Sequence, residues 1–302
     1  MKYLKIPNFA DKNILAKSQA LVKWFYFSYL FLAISLFESK LLFLDRMNFD
    51  PLWPLWWSKP LSNHETFIVV GMILLIGAFL GALFYKKRWA RFLAFLSIFQ
   101  YHALESSFGQ PHHQTYLWLY ICLFLIFLPN IWGKEDNEEE RKKFNLVFWG
   151  SQAMILLTYS MSGLWKIFGM FSQLSQGEIS ILSPNSMALH IADWGINFQT
   201  PGVFAHFIVD NPIIGWPMLL FATYVQLFAL YFLFKPNLHK FVGLSLIAFH
   251  LGTLLFMQIT FIQPILILIV FFFDSPFKKE RGSLWGDFKT LPIIELFFKK
   301  AT

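Results

Sequence analysis

Charge is the first scarcity in this sequence. Asp, Glu, Lys and Arg make up 14% of the 302 residues, against about 25% in an ordinary soluble domain. So little charge cannot coat a water-soluble surface, and no soluble second domain is read anywhere along the chain. Cysteine is scarcer still. A lone Cys122 inside an apolar run excludes an intramolecular disulfide and a cysteine-built metal site. There is no internal repeat. Nor does a small-residue cleavage pattern follow the first apolar run, which reads as a retained anchor rather than a signal peptide.

What fills the chain instead is apolar. Hydrophobic residues account for 56%, aromatic residues for 20%, and 38 residues are Phe. A membrane span needs about 20 predominantly apolar residues. Eight stretches qualify, roughly 18–38, 66–85, 89–107, 116–133, 145–168, 213–234, 240–258 and 261–274. The expected fold is all-α, a polytopic transmembrane helix bundle forming a single domain over 1–302. Membrane lipids are then its surroundings, and a bacterial cell or inner membrane its expected location. The formal net charge of +7 would suggest nucleic acid in a soluble protein. Here the basic residues read as topology, and no nucleic-acid partner is expected.

They gather in alternate loops. Lys2, Lys5, Lys12 and Lys17 precede the first stretch. Lys86, Lys87, Arg88 and Arg91 separate the second from the third. Lys134, Arg141, Lys142 and Lys143 separate the fourth from the fifth, Lys235 and Lys240 the sixth from the seventh, and six more lie after residue 275. The intervening loops carry only Lys40, Arg46 and Lys59. Lys and Arg favour cytoplasmic loops, so this alternation predicts eight spans with both termini in the cytoplasm. The segment 134–143 (KEDNEEERKK) reads as a solvated charge cluster. Residues 170–212 form the longest outer loop. Ser183-Pro184 and Thr200-Pro201 predict two short helices there, the first stopping at Gly195. The basic and apolar tail after 275 is expected to rest on the membrane.

Ionisable groups inside spans are costly, about 2.5–3.5 kcal/mol each near the centre, and are functional candidates. Lys166 lies in Tyr159-Ser-Met-Ser-Gly163-Leu-Trp165-Lys166-Ile167. It could be a snorkelling lysine or a working base. His250 sits ten residues into the seventh stretch, at a depth comparable with Gln226. The pair could be hydrogen-bonded packing residues or part of a site. His102, Glu105, His112 and His113 cluster around the outer loop between the third and fourth stretches, on the side expected for Lys166, where one outer-facing site could use them all.

These segments resemble a family. The run YSMSGLWKI resembles the Tyr-x-x-Ala/Ser-Gly-x-x-Lys-Leu segment of the HTTM domain, the membrane part of vitamin K-dependent gamma-carboxylases. His112-His113-Gln-Thr-Tyr116-Leu117 is similar to that family's Asn-His-x-Tyr-Leu segment. VQLFALYFLFKPNLHKFVGLSLIAFHLGTLLFMQITF, from Val225 on, resembles its later segment, which carries a basic turn and then Phe-His. Order and spacing agree over roughly residues 90–275. The resemblance implies chemistry in which a reduced quinone of the vitamin K type reacts with oxygen to give a strong base. It makes Lys166 the residue that deprotonates the hydroquinone, with His113 and His250 near the reacting ring. His102, Gln226, Trp165 and Tyr159 become candidate cofactor contacts. Trp165 stands where the family has a second lysine, Gln226 where it has an acid, and Gly252-Thr253 where it has Asn-Ser. The family's large lumenal domain is not read here. That leaves open a quinone- or lipid-linked reaction within the membrane, with a separate soluble or membrane partner protein. Two other readings stay open: a non-catalytic membrane subunit or lipid-binding scaffold, and a haem or electron-transfer protein using paired histidines.

Overall fold

The computed structural model describes residues 6–40, 49–109, 115–132, 137–278 and 283–298. Among them the protein is all-helical, with no strand. Four helices are long and apolar enough to cross a membrane: Lys12–Glu38, Asn63–Phe84, Glu138–Ser175 and Pro236–Met257. Shorter apolar helices cover Tyr116–Leu125, Pro212–Leu227 and Ile262–Phe273. The described residues divide into two compact units, one spanning 8–154 and the other made of residues 6–7 with those from Ile155 onward.

The first unit contains α1 (Lys12–Lys40), α2 (Asn63–Phe84), α3 (Arg88–Ser107), α4 (Tyr116–Leu125) and the start of α5 (Glu138–Ser175). Helix α2 shows how the sequence builds it. Ser62 caps its start, accepting from the Glu65 amide at 3.2 Å, while the Glu65 carboxylate accepts from the Ser62 amide at 2.8 Å. This reciprocal bond satisfies two of the helix's unpaired amides. Along one face, small residues replace bulk. A Cβ on Gly77 would lie 2.4 Å from the Cβ of Ser97, and one on Gly81 3.1 Å from that of Ala94. Backbones therefore approach closely, as they do where small residues repeat every four positions in membrane helices. Tyr29 of α1 closes the same contact, its hydroxyl 2.9 Å from Ser97 Oγ and 3.2 Å from the Ala94 carbonyl.

Helix α3 is not apolar enough to join the four. One of its charges is wholly interior. Arg91, read from sequence as a loop cation, is 0% exposed. Its guanidinium donates to the carbonyls of Tyr85 (2.9 Å), Lys86 (2.9 Å) and Leu128 (2.7 Å). It fastens the α2–α3 turn to the segment after α4. That segment differs from expectation as well: α4 ends at Leu125 and turns follow, where a span to 133 was predicted. Part of the 134–143 charge cluster is solvated as expected, with Lys142 paired to Glu138 and Lys143 to Glu139. Arg141 departs from that pattern, since its Nε donates to the Ala10 carbonyl at 2.8 Å.

The second unit holds the rest of α5, then α6 (Ser186–Phe198), α7 (Ala205–Asp210), α8 (Pro212–Leu227), α9 (Ala229–Phe232), α10 (His239–Met257) and α11 (Ile262–Leu268). A π-helical turn, Ile269–Phe273, extends α11. Short α12 (Leu284–Lys289) and α13 (Ile294–Phe298) follow. The two loop helices predicted from Ser-Pro and Thr-Pro are present as α6 and α7. Gly195 does not stop the first. It lies inside α6, and the chain turns at Gln199, whose φ of 52° is left-handed. Ile191, Ala205 and Ile208 form a small core with Met187, Phe256 and Met257, which seats α6 and α7 against the end of α10.

Candidate functional site

The site is built on one face of α5. Tyr159, Ser160, Gly163 and Lys166 recur at three- and four-residue spacing, which places them along one side of a helix. Gly163 lets another backbone come close. A Cβ there would lie 2.4 Å from the Leu227 amide nitrogen and 2.7 Å from the Gln226 carbonyl carbon. That contact falls where α8 ends. The helix breaks at Phe228 and restarts as α9. Ser160 serves the break from both sides: its hydroxyl accepts from the Leu230 amide at 2.8 Å and donates to the Leu227 carbonyl at 3.3 Å. Backbone groups left open by a helix break need partners when buried, and Ser160 supplies two of them here.

The break presents Gln226 to Lys166. Gln226 is 2% exposed, and its Oε1 accepts from the Lys166 ammonium nitrogen at 2.5 Å. The Phe249 ring centroid lies 5.0 Å from Lys166 Nζ, a cation–π distance. Lys166 is half-buried, and among the described residues no carboxylate pairs with it. Next along α10 is His250, 5% exposed. Its Nε2 lies 2.6 Å from the Tyr159 hydroxyl, and its ring is 5.0 Å from that of Phe261. His250 Nδ1 is buried and has no hydrogen-bond partner among the described residues. The geometry thus joins one amine, one imidazole, one phenol and one amide against aromatic walls. It offers a proton acceptor, a proton relay and an unfilled polar valence within a mostly apolar interior.

Four of the residues singled out from sequence therefore meet: Tyr159, Lys166, Gln226 and His250. Trp165 is 78% exposed and lies on another face of α5. His102 belongs to the first unit. There the Thr115 hydroxyl donates to Glu105 Oε2 at 3.1 Å and lies 2.9 Å from His102 Nε2. With its own hydrogen given to Glu105, Thr115 accepts from His102, which fixes the Nε2–H tautomer. Tyr116 stacks on the imidazole at 4.4 Å and 9°. His112 and His113 lie outside the described residues. Among those described, no three His, Cys, Asp or Glu side chains converge as a metal site would need. Sequence reasoning missed Ser160, Gly163, Phe249 and Phe261. The first two share the helical period of Tyr159 and Lys166, a signal present in the sequence. No family model matches the chain, and no match was found among curated proteins or solved structures.

Proposed function

We propose that the chain is an eight-span membrane protein with cytoplasmic termini, and that the Lys166 cluster binds a reduced quinone or similar aromatic alcohol and deprotonates it. The observation that carries this reading is the company Lys166 keeps: an amide oxygen and an aromatic face, without a carboxylate. A lysine placed to neutralise charge would be paired with an acid. A lysine placed to take a proton needs orientation and shelter from water.

The residues present fit a ring bearing hydroxyl groups. Among the described residues His250 Nδ1 has no hydrogen-bond partner, and it would bond a ring oxygen seated against it. Phe249 and Phe261 offer faces to a planar ring. A hydroquinone, when bound, supplies two electrons and two protons for the reduction of oxygen. Lys166 would accept a ring hydroxyl proton at Nζ, with Gln226 holding the amine in place. Tyr159 orients His250 through its hydroxyl. The sequence resemblance to the carboxylase membrane domain described above would give Lys166 and His250 the same roles.

The test is hydroquinone-dependent oxygen uptake by purified protein in nanodiscs. Lys166→Ala should reduce uptake per folded protein about 10²- to 10⁴-fold, the usual contribution of a general base. A second reading rests on the same hydrogen bond. Gln226 and Phe249 already satisfy Lys166, as they would in a scaffold that keeps the fold without the reaction. If wild-type protein neither binds the hydroquinone nor consumes oxygen with it, the scaffold reading replaces the enzyme.

A further inference from the structure

A second polar recess lies in the first unit, far in sequence from Lys166. Its floor is a stripe of α1. Ala16, Gln19, Ala20 and Lys23 recur at the i, i+3, i+4, i+7 spacing of one helix face, and all four line the recess. The two alanines leave room where larger side chains would fill it. Opposite stand Tyr85 and Lys86, from the α2–α3 turn, and Trp132. Lys23 and Lys86 are exposed, and among the described residues no acidic side chain lines the space.

The walls are held in place. Arg91 bonds the carbonyls of Tyr85, Lys86 and Leu128 together. Tyr85 meets Trp132 edge-on at 5.2 Å, and Phe144 braces the other side of the indole, also at 5.2 Å. A buried guanidinium and edge-on aromatic contacts thus fix the turn bearing Lys86 beside Trp132, across the recess from the α1 stripe that carries Lys23. Two cations, an amide and a phenol beside a Tyr–Trp wall match what an anionic lipid presents at the membrane interface: a phosphodiester with polar groups above and acyl chains below.

We propose that this recess binds the headgroup of an anionic phospholipid, with Lys23 and Lys86 on the phosphate and Gln19 and Tyr85 as further donors. Its assignment to the cytoplasmic leaflet rests on the topology proposed above; the site itself does not.

The test uses full-length protein in phosphatidylcholine nanodiscs with and without phosphatidylglycerol, which expose both faces of the protein. Native mass spectrometry reads the lipid retained. Wild-type protein should keep phosphatidylglycerol in preference to phosphatidylcholine. Lys23→Gln and Lys86→Gln should each weaken retention about fivefold, the effect of one interfacial cation. Lys12→Gln with Lys17→Gln, a twofold larger loss of charge elsewhere on α1, should leave it unchanged. Ala20→Leu, which fills the recess and keeps the charge, should abolish the preference. Equal loss in the Lys12/Lys17 variant, or full retention in Ala20→Leu, would reduce the effect to diffuse attraction and overturn the proposal. Thermal stabilisation of the detergent-solubilised protein by inorganic phosphate as strong as that by phosphatidylglycerol would make the ligand a free anion, and would overturn it too.

Discussion

Among the described residues, Tyr159, His250 and Gln226 each make one side-chain hydrogen bond in the Lys166 cluster, which makes it sensitive to small changes. Among the described residues, Tyr159 is the one hydrogen-bond partner of the His250 ring. Tyr159→Phe removes that oxygen and keeps the aromatic volume. Both ring nitrogens of a 5% exposed histidine are then without partners. An unsatisfied buried polar group costs about 1–3 kcal/mol, so the variant should melt earlier in detergent, and calorimetry would show it. An unchanged melt would mean that water or lipid reaches His250 freely. Lys166, Gln226 and His250 were legible in the sequence because polar residues stand out against apolar runs. Phe249 and Phe261 were not, since 38 phenylalanines hide the two that meet the cluster. Whether a side chain at half-buried depth faces a neighbour or lipid is a matter of rotation about the helix, and Trp165 shows that an adjacent position can end on the exposed side.

At the scale of elements, the interruption between α8 and α9 organises the site. Nothing in the local sequence announces it. Gln226-Leu-Phe-Ala-Leu-Tyr-Phe-Leu-Phe234 contains neither Gly nor Pro, and it reads as one continuous apolar helix. The break is set from outside, by Ser160 and Gly163 of α5, so only tertiary structure reveals it. Two substitutions should expose this dependence. Gly163→Ala places a methyl 2.4–2.7 Å from the backbone at Gln226 and Leu227, and overpacking of this kind costs about 1–3 kcal/mol. Ser160→Ala takes the acceptor from the Leu230 amide and should cost a similar amount. Because both act through the position of Gln226, oxygen uptake should fall in each beyond what the loss of folded protein explains. Uptake that tracks folded protein alone would separate the break from the site.

For the whole molecule, the testable statement is topology. A reporter fused after Lys87 or at the C-terminus should signal cytoplasm, and one placed within 175–185 should signal the outside. A cytoplasmic signal from 175–185 would undo the eight-span assignment. The helices themselves were largely readable: each predicted apolar stretch contains a helix, because hydropathy and length govern insertion. Their ends were not, since α5 continues past both predicted limits, from 145–168 to Glu138–Ser175. At about 1.5 Å per residue, its 38 residues reach well beyond a hydrocarbon core of about 30 Å. This helix also contains the boundary between the two compact units, at Met154 and Ile155. The consequence concerns modularity. Where domains meet at a loop, genes can be recombined and chains can be split there. Here the contact boundary falls within a helix, so a cut at that point would leave open amides and carbonyls at two new helix ends with no water to receive them. Fragments divided at 154/155 should fail to reassemble when co-expressed, whereas fragments divided before α5 should complement each other, and the practical unit of inheritance is α5 whole.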